Sequence, residues 1–226
     1  MLTENTANKL REMHLSVMAS AFKEQLTDSQ FQCMSFEDRF GLTVDKEWCA
    51  RKSNHLKRLI KQAGFSESGA CVEDIEYHPD RNLDKNQIAR LSSCNYIAEH
   101  HNVMLLGATG SGKTYLACAL GMAAVRNYLT VKYIRLPELL VDFSIARGSG
   151  TIRKVMAQYK KYSLLIIDEW LLSPMKDTES RDLLEIIEAR YKKASTVFCS
   201  QFDVPGWREK LGDPIIADAI CDRIVH

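Results

Sequence analysis

Nothing in this sequence approaches a membrane span. Apolar runs such as Val103–Leu106 and Leu164–Ile167 fall far short of the roughly 20 residues a transmembrane helix needs. The opening residues, MLTENTANKLREM, contain no apolar signal core and soon become charged. A soluble, cytoplasmic chain is expected. Charge of one sign is also missing: 30 Lys and Arg balance 29 Asp and Glu to a net +1, so no global field draws the chain to nucleic acid. The cysteines at 33, 49, 71, 94, 118, 199 and 221 are odd in number, scattered, and never form Cys-x-x-Cys. That argues against a disulfide framework or a zinc site and for reduced thiols. Internal repeats and low-complexity tracts are absent too. What remains is an ordinary globular mix of 226 residues, 46% hydrophobic and 26% charged. Such a chain makes one large domain or two modest ones and buries about 70% of its unfolded surface on folding.

The balanced total hides local segregation. Residues 46–63 carry six bases (Lys46, Arg51, Lys52, Lys57, Arg58, Lys61) against Glu47 alone, and residues 64–84 reverse the sign, with six acids against Arg81. Residues 1–63 read as helices. Leu10, Met13, Val17, Met18, Ala21 and Phe22 recur at helical spacing, Phe36–Trp48 continues the pattern after a break, and a third helix is expected over Asp45–Ala63. Gly64–Gly69 reads as a hinge. These signals predict an all-helical N-terminal domain over 1–66, a linker over 67–84 and a catalytic domain over 85–226.

From Asp84 the pattern alternates helix and strand. A helix from Asp84 to Glu99 is followed by strands at 102–106, 131–135, 164–167 and 196–200. The helices between them cover 112–127, 137–146, a Thr151-capped segment to 159, and 179–191, and a last helix starts at Asp213-Pro214. Continuous apolar strands alternating with helices predict an α/β fold with a parallel sheet covered on both faces.

The chemistry concentrates in three places. Gly107-Ala108-Thr109-Gly110-Ser111-Gly112-Lys113-Thr114 fits G-x-x-x-x-G-K-[ST] between a buried strand and a helix. Backbone N–H groups there cradle phosphates, Lys113 reaches the β- and γ-phosphates, and the Thr114 hydroxyl binds Mg²⁺. The strand Leu164–Ile167 then delivers Asp168 and Glu169 to its C-terminal end, where open α/β sheets bind ligands. Asp168 is expected to hold Mg²⁺, and Glu169 to deprotonate the attacking water. Together the two motifs imply binding and hydrolysis of ATP. At the end of the strand Thr196–Ser200, between the two motif strands, either Ser200 or Gln201 is placed to touch the γ-phosphate; a polar residue merely ending a strand fits the pattern as well.

At these residues the chain resembles the IstB family, the AAA+ ATP-binding helpers of insertion-sequence transposition, with kinship to the helicase loader DnaC and the initiator DnaA. The resemblance extends over Ser35–Arg39, Asp45–Trp48, Ala70–Ile75, Asn82–Lys85, Leu116–Leu120, Tyr133–Pro137 and Asp182–Ile186. It is tightest from Ser200-Gln201 through Trp207 and Gly212–Pro214 to Asp222-Arg223-Ile224. It implies a doubly wound AAA+ sheet and an arginine finger at Arg223 acting on a neighbouring subunit's nucleotide. It also implies ATP-driven oligomers, ring or helical, and work on duplex DNA for a transposase. The sequence departs from the family in lacking the usual Asn at the first sensor position. It also stops at His226, where the family continues into a fifth strand and a basic tail; a truncated ATPase domain is the expectation. Arg51, Lys52, Lys57 and Arg58 are the candidate DNA contacts, although the same residues also suit a solvated helix face. A DnaC-like loader that grips a replicative helicase through Leu10, Met13, Val17 and Phe22 is the competing reading. No Arg-rich acceptor lid follows the third strand, which weakens a kinase.

Overall fold

The computed structural model describes residues 2–78 and 83–226. The chain divides into two compact units, Met1–Arg58 and Leu59–His226.

The first unit is helical: α1 (Leu2–Glu12), α2 (Ser16–Thr27) and most of α3 (Phe36–Ala63). The two helices expected across 36–63 are one uninterrupted helix, because nothing between Trp48 and Ala63 is a proline or a glycine that would stop it. Ala7, Ala19, Ala21 and Phe31 are buried. Glu47 accepts from the Met18 backbone N–H at 2.9 Å and from Arg51 at 2.8 Å, which ties α3 to α2.

The second unit begins before the expected linker ends. Cys71 N–H donates to the Tyr115 hydroxyl at 3.3 Å, and Val72, Ile75 and Leu83 pack on Ile88, Leu116 and Leu120. Residues 67–78 are therefore held to the second unit rather than free; the breaks at Gly64 and Gly69 were legible, but the apolar Val72 and Ile75 that follow them anchor the segment. The rest of the expected linker includes residues 79–82, which lie outside the described residues. Gly121 matters here, since a Cβ on it would lie 2.6 Å from Phe65 and 2.8 Å from Ile166.

Next come α4 (Lys85–Ser92) and α5 (Asn95–Ala98), which sequence had merged. Cys94, with φ +62°, breaks the run between them. The α/β core follows: β1 (Val103–Leu106), α6 (Lys113–Arg126), β2 (Val131–Arg135), α7 (Leu136–Gly148), α8 (Ile152–Lys161), β3 (Leu164–Asp168), α9 (Asp177–Arg190), β4 (Ser195–Ser200), α10 (Val204–Leu211) and α11 (Pro214–Val225). All pairings are parallel, in the order β1-β4-β3-β2. The expected α/β class and at least four parallel strands are present, and β4 does lie between the two motif strands.

Thr151 makes no cap bond to α8; its hydroxyl pairs with Ser149 instead. The helix α10 was not anticipated, although Asp203 caps it and Pro205 lies in its first turn; it carries Trp207, buried in edge-to-face contact with Trp170 at 6.0 Å between centroids. Arg190, also buried, donates to the carbonyls of Tyr159, Tyr162 and Ser195 and to the Thr196 hydroxyl, closing the N-terminal ends of β3 and β4. With no carboxylate beside it, burial pushes its pKa down to about 10.

Candidate functional site

Strand register decides which side chains meet. Leu106 pairs with Ser200, and Arg135 pairs with Asp168. The C-terminal ends of all four strands thus form one row in which the loop after β1, the Asp-Glu pair after β3 and the end of β2 are neighbours. Gly107 N–H bonds to the Ser200 carbonyl at 3.2 Å, and Trp170 N–H to the Cys199 carbonyl at 2.8 Å. These two bonds carry the sheet past its formal ends.

The phosphate loop turns on Gly110 and Gly112, with φ of +77° and +87°. That backbone is strained for any L side chain, and a turn of this kind before a helix is the sort that gathers N–H groups around an anion. Lys113 Nζ donates to the carbonyls of Gly107 and Ala108, both at 2.7 Å. Its ammonium therefore already bridges the rim of the loop, where phosphate oxygens would replace those carbonyls.

Thr114 Oγ1 donates to Asp168 Oδ2 at 2.7 Å. The two residues expected to share a divalent cation meet directly, and a hydroxyl beside a carboxylate is an oxygen donor set suited to Mg²⁺. Asp168 is only 5% exposed. It also accepts from Tyr133 at 2.8 Å and from the Glu169 N–H at 2.8 Å. Burial, with the adjacent Asp168 carboxylate adding to it, raises the Tyr133 pKa well above its ordinary value. The phenol thus stays a donor to Asp168.

Glu169 sits at φ +54°, which turns its side chain out of the strand direction. Its carboxylate is gripped by Arg135, whose Nη2 lies 2.7 and 2.8 Å from the two oxygens. Sequence reasoning missed both Tyr133 and Arg135 as site residues. The available signal was topological: β2 neighbours β3 in a doubly wound sheet, so the residues ending β2 fall beside those ending β3.

Two expected site residues are placed elsewhere. Ser200 is 1% exposed, and its hydroxyl donates to the Trp170 carbonyl while accepting from Phe202 N–H and Trp207 Nε1. Every hydrogen-bonding position of the hydroxyl is taken by buried partners, so it does not reach a γ-phosphate. The expectation for Ser200 is corrected on that ground, and exposed Gln201 is the polar residue left at this end of β4. Arg223 bonds to Glu188 at 2.8 Å and to the Ala219 carbonyl at 2.9 Å. Asn102, just before β1, donates to the Ile224 carbonyl at 3.1 Å. Arg223 therefore lies at the N-terminal end of the sheet, roughly 13 Å of strand from the phosphate loop.

The family model for the IstB-like ATP binding protein matches residues 8–226. The chain belongs to that family. A putative insertion sequence ATP-binding protein of Sinorhizobium fredii (strain NBRC 101917 / NGR234) is 37% identical over 226 residues, spanning 100% of this chain and 92% of that relative. The insertion sequence IS1162 putative ATP-binding protein of Pseudomonas fluorescens is 39% identical over 201 residues, 89% of this chain and 87% of its own length. Among solved structures, DnaI shares the fold with a TM-score of 0.61 at 19% identity over 75% of this chain and 89% of that one. The initiator DnaA bound to AMPPCP and single-stranded DNA matches at 0.58 and 18% identity over 66% of this chain; only about half of its length, 47%, is covered.

Four exposed bases were the expected DNA contacts, and Arg51, Lys52, Lys57 and Arg58 are all at the surface. They do not share one face. At 100° per residue Arg51 and Arg58 align, while Lys52 and Lys57 point about 100° and 120° away on opposite sides. Arg51 is also engaged, by Glu47 at 2.8 Å and by the His14 carbonyl at 2.7 Å.

Proposed function

We propose that this protein is an Mg²⁺-dependent ATPase that assembles with ATP, binds duplex DNA and stimulates a transposase in the cytoplasm. The observation that carries the reading is the 2.7 Å contact between Thr114 and Asp168, which joins the phosphate loop to the Asp-Glu strand. Bound Mg²⁺ would supply charge neutralisation at the β- and γ-phosphates. The chain's own groups do the rest. Loop N–H groups and Lys113 hold the phosphates, Thr114 and Asp168 fix the cation, and Glu169, once released by Arg135, accepts the proton of the attacking water.

The finger role of Arg223 is part of the same reading. Its place at the far end of the sheet keeps it from its own nucleotide, which supports action across a subunit boundary. The insertion-sequence relatives support DNA and a transposase as partners. The seven free thiols suit a reducing compartment.

Binding of labelled ATP and its turnover, measured separately, test the enzymatic half. Lys113→Ala should lose binding. Glu169→Gln should bind and fail to turn over, because an amide accepts no proton; loss of binding in that variant would remove Glu169 from the role of base. Anisotropy on two unrelated duplexes tests the DNA half. No DNA binding under any nucleotide condition, with capture of a replicative helicase instead, would favour the loader reading.

A further inference from the structure

Two hydroxyls meet at one oxygen of Asp168. Thr114 Oγ1 donates to Oδ2 at 2.7 Å, the Tyr133 hydroxyl donates to the same Oδ2 at 2.8 Å, and the Glu169 N–H donates to Oδ1 at 2.8 Å. Two of these donors have further tasks in the proposed reaction. The Thr114 oxygen must also face the cation. The Glu169 N–H belongs to a residue at φ +54° whose side chain must leave Arg135 before it can act as a base. Tyr133 has no second task.

The fold fixes Tyr133 better than either. It is buried, and its Cα pairs with Ile166, two residues short of Asp168 on the neighbouring strand. Alternate residues of a strand share a face, so the Tyr133 ring and the Asp168 side chain lie on the same side of the sheet, and the ring reaches forward to the carboxylate. Ser66 faces the phenol oxygen from behind and lies 3.8 Å from Cys118 Sγ. A phenylalanine would fill this space without burying a hydroxyl, which is unfavourable unless the hydroxyl is hydrogen-bonded; here it is bonded to Asp168. Groups that hold a metal-binding carboxylate from behind orient it, and their loss costs roughly 10–100-fold in metal affinity. We infer that Tyr133 is a positioning residue for the cation. It keeps Asp168 turned to Thr114 and so sets how tightly Mg²⁺ joins bound ATP, while adding nothing to the grip on ATP itself. The inference rests on the reading of Thr114 and Asp168 as the cation site.

Tyr133→Phe in the full chain tests it, since the ring stays and the hydroxyl goes. Circular dichroism and the binding of labelled ATP in EDTA should match the parent. The Mg²⁺ concentration that half-saturates the ATP-bound protein should rise about tenfold. Mn²⁺ counted by electron paramagnetic resonance, with a non-hydrolysable ATP analogue bound, should shift in the same way. Saturating Mg²⁺ should bring turnover back near the parent's. Half-saturating Mg²⁺ and Mn²⁺ equal to the parent's would overturn the inference alone. A fall in metal-free ATP affinity as large as the fall in Mg²⁺ affinity would also overturn it, because damage to the phosphate loop and not positioning would then be the cause. A parent whose ATP binding ignores both Mg²⁺ and Mn²⁺ would overturn the cation-site reading, and the inference with it.

Discussion

Arg135 Nη2 donates to both oxygens of the Glu169 carboxylate, at 2.7 and 2.8 Å, and so holds the prospective catalytic base at the end of β2. In the same unit Asp168 is bonded to Thr114 and Tyr133. The carboxylates proposed as cation ligand and as base, Asp168 and Glu169, are thus separately tethered, one inward and one to the sheet edge. Glu138 shares the Arg135 guanidinium at 3.6 Å, so the arginine has an alternative partner when Glu169 leaves.

Arg135→Gln should therefore raise turnover of the unstimulated protein severalfold while leaving ATP affinity unchanged. The substitution removes the competing ion pair and touches no phosphate-binding group. Steady-state hydrolysis without DNA checks it. A fall in turnover would mean that Arg135 helps in the transition state rather than restrains the base.

Ser200→Ala should damage stability and spare chemistry. It strands two buried donors, Phe202 N–H and Trp207 Nε1, and an unsatisfied buried donor costs about 1–3 kcal/mol. A loss of about 2 kcal/mol in urea unfolding is expected, with turnover per folded molecule unchanged. A kcat loss at parent stability would return Ser200 to the active site.

Ser200 also marks where sequence reading ran out. The phosphate loop, the Asp-Glu pair and the alternation of strands and helices were legible because each follows from a local pattern: glycine spacing, an apolar run ending in acids, a period. Whether the polar residue ending β4 faces a nucleotide or the core depends on Trp207, seven residues on, in a helix whose position no local pattern relates to Ser200. Arg135 and Tyr133 were hidden for the same reason, since their partners come from β3 and only strand order brings them together. The continuity of α3 was missed because the patterns over Phe36–Trp48 and Asp45–Ala63 were read as separate helices although they overlap and no proline or glycine lies between Asp45 and Ala63.

Arg223→Ala should leave ATP affinity nearly unchanged and abolish assembly-dependent turnover, since transition-state fingers are worth roughly 10³-fold or more. Mixing it with Glu169→Gln should restore part of the activity, because some interfaces then join an intact base to an intact finger. Glu188→Gln, which frees Arg223 from its 2.8 Å ion pair, should not lower turnover. No recovery in co-assembled mixtures would refute action in trans.

Alkaline pH should unfold the protein early. Burial raises the pKa values of Tyr96, Tyr133 and Tyr159, and of the thiols of Cys94, Cys118, Cys199 and Cys221. Above the unfolded-state values, about 8.5 for Cys and about 10 for Tyr, the unfolded chain loses protons that the native one keeps. The stability these groups contribute is complete below those values and declines as pH rises toward their folded ones. Tyrosinate absorbance should show three of the eight tyrosines ionising only with unfolding. Free titration of all eight in the folded protein would contradict the burial.

The last expectation separates the four basic residues of α3. Lys57→Ala and Arg58→Ala should each lower the slope of log affinity against log salt by up to about 0.9, equally for unrelated duplexes, as lost phosphate contacts do. Arg51→Ala should behave differently. Its guanidinium serves buried Glu47 and the His14 carbonyl, so removing it strands a carboxylate whose pKa its hydrogen bond holds below the usual range. Loss of stability in the first unit should therefore exceed the loss of DNA slope. Lys52 lies over the Trp48 ring at 5.4 Å and on the opposite side of α3 from Lys57, and Lys52→Ala should change the slope less than Lys57→Ala. Anisotropy at several salt concentrations, paired with thermal unfolding of each variant, distinguishes these outcomes. Equal slope changes at all four positions would mean that DNA wraps α3 rather than resting on Lys57 and Arg58. No change at any would move the DNA surface to Arg153, Lys154, Lys160 and Lys161 in and around α8.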